Sequence, residues 1–256
     1  MIPRVWKSAA ITAFVPILLV AARPAYAQAQ AQQPAASSSP WSFDVGIGWD
    51  DVISGNINSS GIGQINNQAV VITSNSFEDV YGTGLHLRFG GGYALNDVTE
   101  VTATFVFQSS EADQITPMGD IGVSNLYGKY TDYQTFGLDM GLRRYMNLSS
   151  SLRLYGEGAV GVGFIDETDV TLVAPSANLS GDASDFYDQT AALGLGASFG
   201  VLYQTGGRTG FYGELGLRWM SGMAEIDDLA GTGLEDINNK SSRWTLPLTG
   251  GVRFRF

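Results

Sequence analysis

The 256-residue chain has no cysteine and a single histidine, and its only long apolar run lies at the N-terminus. Without cysteine it can hold no disulfide framework, no thiolate metal site and no thiol nucleophile. Beyond the first turns of chain there is no stretch of 18 or more apolar residues, which excludes a helical membrane protein. No segment carries apolar residues at a 3.6-residue spacing, so amphipathic helices are not expected. Basic residues are outnumbered, with 14 Lys and Arg against 25 Asp and Glu and a formal charge of −11. That balance argues against nucleic acid as a partner. Glycine is frequent, at 33 residues, but has no collagen-like period.

The N-terminus reads as an address. Arg4 and Lys7 precede an apolar run from about Ala9 to Ala22, and Ala25-Tyr26-Ala27 offers small residues for cleavage before Gln28. This is the plan of a secretory signal peptide. Residues 1–27 are therefore expected to be removed, making the mature chain three charges more negative as Arg4, Lys7 and Arg23 leave. Residues 28–40, QAQAQQPAASSSP, are low in complexity and read as a flexible periplasmic leader.

From Trp41 to Phe256 the chain alternates with period two, eight times over. In WSFDVGIGWD, Trp41, Phe43, Val45, Ile47 and Trp49 share one face and Ser42, Asp44, Gly46, Gly48 and Asp50 the other. The same pattern recurs in GTGLHLRFGGGY, EVTATFVFQ, YQTFGLDMGLRRYM, LRLYGEGAVGVGF, AALGLGASFGVLY, FYGELGLRWM and RWTLPLTGGVRFRF. The second face is chiefly Gly, Ala, Ser and Thr with isolated charges, which suits the inside of a narrow closed barrel better than a water-exposed sheet. Aromatics such as Trp41, Trp49, Tyr203, Phe211, Trp219, Trp244 and Phe256 lie near segment ends, as in the girdles at two membrane interfaces.

The connections sort by length. Short ones fall at Ala94–Asp97, Asn147–Ser151 and Thr205–Gly210, and long ones near Val52–Tyr81, Ser109–Asp132, Ile165–Gln189 and Ser221–Ser242. Four long and three short connections fit an all-β, eight-stranded antiparallel up-and-down transmembrane barrel, residues 41–256, with four long extracellular loops and both ends in the periplasm. AVVIT (Ala69–Thr73) and VTLVAP (Val170–Pro175) also look like strands. They would be hairpin extensions above the membrane or, if spanning, would raise the count to ten.

The turn GYALND, the pair LRRYMN and LRLYGEGAVGVGF, and the terminal VRFRF resemble small bacterial outer-membrane β-barrels of the OmpA/OmpX-like and porin-like surface-protein type. The resemblance implies a home in the bacterial outer membrane among lipid and lipopolysaccharide. It also implies that Val252, Phe254 and Phe256 form the signal read by the barrel-assembly machinery. The chain ends with its last strand, so the peptidoglycan-binding domain of full-length OmpA proteins is not expected.

Alternation assigns a lumen charge network of Asp44, His86, Arg88, Asp139, Arg143, Arg153, Glu157, Glu214, Arg218, Arg253 and Arg255, in which acids and arginines should pair because isolated buried ions are costly. Paired, they would block free diffusion; a narrow conduit favouring anions is the alternative. His86 as a general base would make a lipid-modifying enzyme, but GLHLRFG matches no motif of such enzymes. GEGAVG fits G-x-G-x-x-G only in letters, since no helix follows it. Loop acids such as DETD (Asp166–Asp169) and DASDFYD (Asp182–Asp188) offer hard oxygen ligands, yet neither has the spacing of a Ca²⁺ loop and clustered loop acids usually just solvate. Phe77, Tyr81, Tyr127, Tyr130, Phe186 and Tyr187 suit either a protein or glycan contact or packing within the loops. The expectation is a non-enzymatic surface protein, with no cofactor and no metal, acting through its acidic loops; a small porin-like channel and an enzyme using His86 are the alternatives.

Overall fold

The computed structural model describes residues 39–65, 67–177, 179–226, 231–238 and 241–256. The expected signal peptide and most of the expected leader, residues 1–38, lie outside them. Eight long strands alternate inward and outward: β1 (Trp41–Ser54), β2 (Gly84–Asn96), β3 (Thr99–Ser110), β4 (Tyr133–Asn147), β5 (Leu152–Ile165), β6 (Thr190–Gln204), β7 (Thr209–Met220) and β8 (Arg243–Arg255). Each pairs antiparallel with its neighbour, and β1 pairs with β8 to close the barrel. Closure leaves no strand edge open, the condition for a sheet to cross hydrocarbon.

The outside of this barrel is apolar. Phe43, Ile47, Trp49, Phe89, Leu138, Val160, Leu195, Phe199, Leu215 and Leu248 are all exposed. An apolar belt of this extent marks a surface that does not face water. The inward positions are small or polar: β6 presents Ala192, Gly194, Gly196, Ser198 and Gly200. Asp44 stands opposite Arg253 across the closing seam, and Phe254 and Phe256 point outward with Val252 half exposed.

The long connections are not loose. Strands Gly61–Ile65, Gln68–Ile72, Thr116–Ile121, Ser124–Tyr130, Thr168–Ala174, Leu179–Asp188 and Ala224–Glu225 form one seven-stranded sheet, drawn from all four loops. Both AVVIT and VTLVAP belong to it, as extensions rather than spanning strands, so the barrel has eight strands and not ten. In the first loop, Asn56–Asn58 pairs with Asn75–Ser76. A short helix, Phe77–Val80, follows, with a capping box in which Ser76 and Asp79 satisfy each other's backbone N–H.

This cap has its own core. Ile57, Val70, Ile72, Phe77, Met118, Ile121, Leu126, Phe186, Tyr187, Leu234 and Ile237 are buried together, and the cluster continues into Tyr133, Ile165, Ala192 and Met220 at the tops of spanning strands. Burying each large apolar side chain contributes about 1.5–3 kcal/mol. Polar ties join the loops: Tyr187 donates to the Ile57 carbonyl at 2.6 Å, Asn238 to the Phe186 carbonyl at 2.9 Å, and Tyr130 to Asn58 Oδ1 at 3.1 Å. The barrel mouth is thus covered by a folded lid of loop residues.

Candidate functional site

The lumen is the first place to look for chemistry, because inward alternation gathers charges there from seven strands. Glu157 on β5 accepts from Arg143 Nε at 2.7 Å and Nη2 at 2.6 Å, from Arg88 at 3.3 Å and from Thr102 at 2.8 Å. Arg88 also pairs with Glu214, which accepts from the Tyr155 hydroxyl at 2.8 Å. Asp44 receives Arg143 at 3.1 Å and Arg253 at 3.4 Å, so the first and last strands are clamped through one carboxylate. Arg253 reaches on to Glu100, which also accepts from Ser42 at 2.6 Å and Tyr145 at 2.7 Å. All these side chains are nearly or fully buried. Tyr145, Tyr155, Leu202 and Tyr212 pack beside them, with Arg143 over the Tyr155 ring.

Charge-assisted, multiply bonded pairs of this kind hold their geometry tightly. A ring of acids and guanidiniums interleaved with tyrosines fills the periplasmic half of the lumen. Asp139 and Arg218 form a separate two-pronged pair at 2.7 and 3.0 Å, nearer the cap. His86 is buried beside Asp50, with Nδ1 3.9 Å from the carboxylate.

Not every charge joins the ring. Arg153 lies at the periplasmic end, where it donates to the Asp97 carbonyl at 2.5 Å and stacks over Tyr145 at 4.1 Å. Backbone and ring, rather than a carboxylate at hydrogen-bond distance, hold its guanidinium. Arg255 is half-buried opposite Ser42 at the same end. Glu100, Ser42, Tyr145, Tyr155 and Tyr212 complete the network although sequence reasoning did not select them. Their inward positions in the alternation were the available signal.

The cap settles the aromatics. Of the six loop aromatics, Phe77, Tyr81, Tyr130, Phe186 and Tyr187 are buried in its core, where they serve packing within the loops, and Tyr127 is half exposed. Burial pushes the phenols of Tyr81, Tyr130 and Tyr187 well up from their ordinary value. Asp169 and Asp185 face each other across paired strands; partial burial, and then its acidic neighbour, raise Asp169. Glu235 is held below the usual range by backbone N–H groups of its own turn, including those of Gly231 and Gly233. Asp132, Asp166, Glu167 and Asp169 line an open acidic recess with Thr131, Gln134 and Gln189. Among the described residues, no three acids or histidines converge as metal ligands. Asp227 and Asp228 and the side chain of Asp182 lie outside that description.

A closed antiparallel barrel with an apolar exterior, a charged interior and short turns at one end leaves one environment for its middle, the hydrocarbon of a membrane. The chain is a membrane-spanning β-barrel. No protein-family model matches it, and no curated protein matches it. Solved structures do. Neisserial surface protein A (NspA) is 12% identical over 86% of this chain and 99% of that one, with a TM-score of 0.46. The outer membrane protein OprG from Pseudomonas aeruginosa is 12% identical over 86% and 97%, with a TM-score of 0.48. The outer membrane protease OmpT from Escherichia coli is 10% identical over 87% and 99%, with a TM-score of 0.42.

Proposed function

We propose that this barrel is a non-conducting, non-enzymatic surface protein whose spanning part is a rigid stem and whose folded cap presents an acidic surface to extracellular protein or glycan partners. The observation that carries this reading is the double obstruction of the lumen. A hydrogen-bonded acid–arginine–tyrosine ring fills its periplasmic half, and the cap core sits over its extracellular mouth. Neither is a single flexible loop that could swing aside, and each guanidinium removed from the ring would leave buried carboxylates short of counter-charge. His86 supports the non-enzymatic part, since it is 4% exposed inside the wall and its neighbouring acid, Asp50, stands 3.9 Å from Nδ1, beyond hydrogen-bond reach. The cap supplies the interaction surface: Asp120, Asp132, Glu167, Asp185, Asp188 and Glu225 stand exposed on it, with Lys129 the opposing charge among the described residues.

Planar-bilayer recording of the purified full-length protein tests the reading. The expected outcome is no discrete conductance step under mild voltage, at neutral pH and high salt. Reproducible open channels would overturn it in favour of a small pore.

A further inference from the structure

The seven-stranded cap sheet turns one face to the cap core and the other to solvent. Val70, Ile72, Met118, Leu126, Val170 and Ala174 fill the inner face. Their alternates should be polar on a sheet washed by water on one side. Over part of this sheet they are not. Ile62 and Val71 oppose each other across the hairpin Gly61–Ile65/Gln68–Ile72 and are 75% and 44% exposed. Pro117 pairs with Tyr127, and Tyr127 in turn with Val173. Pro117 is exposed and the other two are half-exposed. These side chains form a stepped band from the Gly61–Ile65 edge as far as Thr168–Ala174. Exposed apolar side chains gathered in this way mark a surface that meets a partner.

The same face turns acidic where the band ends. On the strand that carries Val173, Asp169 stands opposite Asp185. Asp169 also lines a recess of about 440 Å³ together with Asp132, Asp166 and Glu167. None of these acids, nor Asp120 beside Val71, forms an ion pair among the described residues. Lys129, paired with Thr171, is the only cation on this face among the described residues. Like charges directly opposed across strands destabilise a sheet. A basic group placed at Asp169 and Asp185 would offset that cost.

Apolar band and acidic end together specify a partner. The sign of the charge excludes lipid phosphates, sulfated glycans and nucleic acid. A neutral sugar would leave Ile62, Val71 and Val173 without an apolar counterpart, and Tyr127 is the one aromatic ring on the band. A polypeptide supplies both kinds of side chain. Val173 and Asp169 lie four residues apart on one strand, about 13 Å at the rise of an extended chain. An extended segment laid along it sets apolar and basic side chains at that same spacing.

We propose that the outer face of the cap sheet docks an extended segment of another protein, apolar at one end and basic at the other. Its apolar side chains cover Ile62, Val71, Tyr127 and Val173. Its basic ones meet Asp169, Asp185 and the recess beside them. This inference rests on the cap being the interaction surface of the barrel, and it names the chemistry which that surface recognises.

The test uses the full-length barrel in phosphatidylcholine nanodiscs, with carbon-13 labelled isoleucine and valine methyl groups. The probe is a capped heptapeptide with leucine at its first and third positions, lysine at its fifth and seventh, and serine between. Saturable shifts are expected at Ile62, Val71 and Val173. The same peptide with glutamate for lysine should fail through its charge. With serine for leucine it should bind about ten-fold more weakly. Tyr127→Ser and Asp169→Asn should each weaken the lysine peptide by about ten-fold, and Asp169→Asn should also flatten its salt dependence. Ile62→Ser, at a site 75% exposed, removes part of the band without touching the cap core and should act in the same direction. Equal binding of the glutamate or all-serine variant of the peptide, undiminished binding by the protein variants, or no saturable shift would each overturn the docking. An N-acetylglucosamine oligosaccharide titrated in parallel separates this result from the broader reading. Sugar binding without peptide binding would overturn the protein partner and keep the cap as a recognition surface. Open channels in the bilayer recording would overturn the non-conducting stem alone.

Discussion

Glu157 shows what a single residue does in this lumen. It meets two guanidiniums and a hydroxyl, so Glu157→Gln leaves Arg88 and Arg143 short of a counter-charge in a buried site. Breaking a buried pair from one side costs about 3–5 kcal/mol, and urea unfolding from lipid vesicles should show a loss of that order. Arg243→Met is the contrast. Arg243 is fully buried but rests on the rings of Phe77 and Tyr133, at 5.1 and 4.4 Å, and contacts Met220 sulfur. An apolar side chain of similar length should change stability by less than about 1.5 kcal/mol in the same assay. Alternation made the inward face legible, since a period of two leaves no ambiguity about which side a residue takes. It says nothing of height. Arg153 and Arg143 share a face pattern, yet the one ends at a periplasmic turn and the other at the centre of the ring. Strand stagger decides this, and stagger is set by pairing across the whole barrel.

At the scale of elements, the eight spanning strands were legible and much of the cap was not. AVVIT and VTLVAP carry the β-branched density of strands by themselves. Thr116–Ile121 and Ser124–Tyr130 contain Pro117, Gly119, Gly122 at their turn and Gly128, and they become strands only because neighbours from other loops pair with them. The cap sheet also has an electrostatic flaw. Asp169 and Asp185 are opposed across Thr168–Ala174 and Leu179–Asp188, and the carboxyl of Asp169 is raised in the folded state. A raised folded value means that the protonated form is favoured by folding. Stability from this site is therefore present at acid pH and lost as pH rises from the ordinary aspartate value through the raised one. Asp185→Asn should bring the Asp169 carboxyl back towards its ordinary value in a carbon-13 carboxyl titration. It should also flatten the corresponding rise in cap amide exchange on going from acid to neutral pH. An unchanged titration would show that the pair does not couple.

For the whole molecule, the cap makes protease sensitivity a test of topology. Its hairpin Thr116–Ile121/Ser124–Tyr130 ends in a tip at Gly122 and Val123, the latter fully exposed, while the first loop is held in strands and helix. Proteinase K added to intact cells should cut first at that tip and leave the turn at Thr205–Gly210 whole until the envelope is broken. Early cleavage at Thr205–Gly210 would invert the barrel. The continuity of cap and barrel core has a further consequence, for insertion. Tyr133, Ile165, Ala192 and Met220 belong both to spanning strands and to the apolar cluster above them, so the cluster cannot be completed until those strands have crossed. The loops must therefore pass the bilayer as open chain and condense only on the far side. Once condensed, they form a knob of seven strands too bulky to follow the strands back. Folding of the cap thus acts as a one-way latch on membrane entry, trapping the inserted state by geometry as well as by free energy.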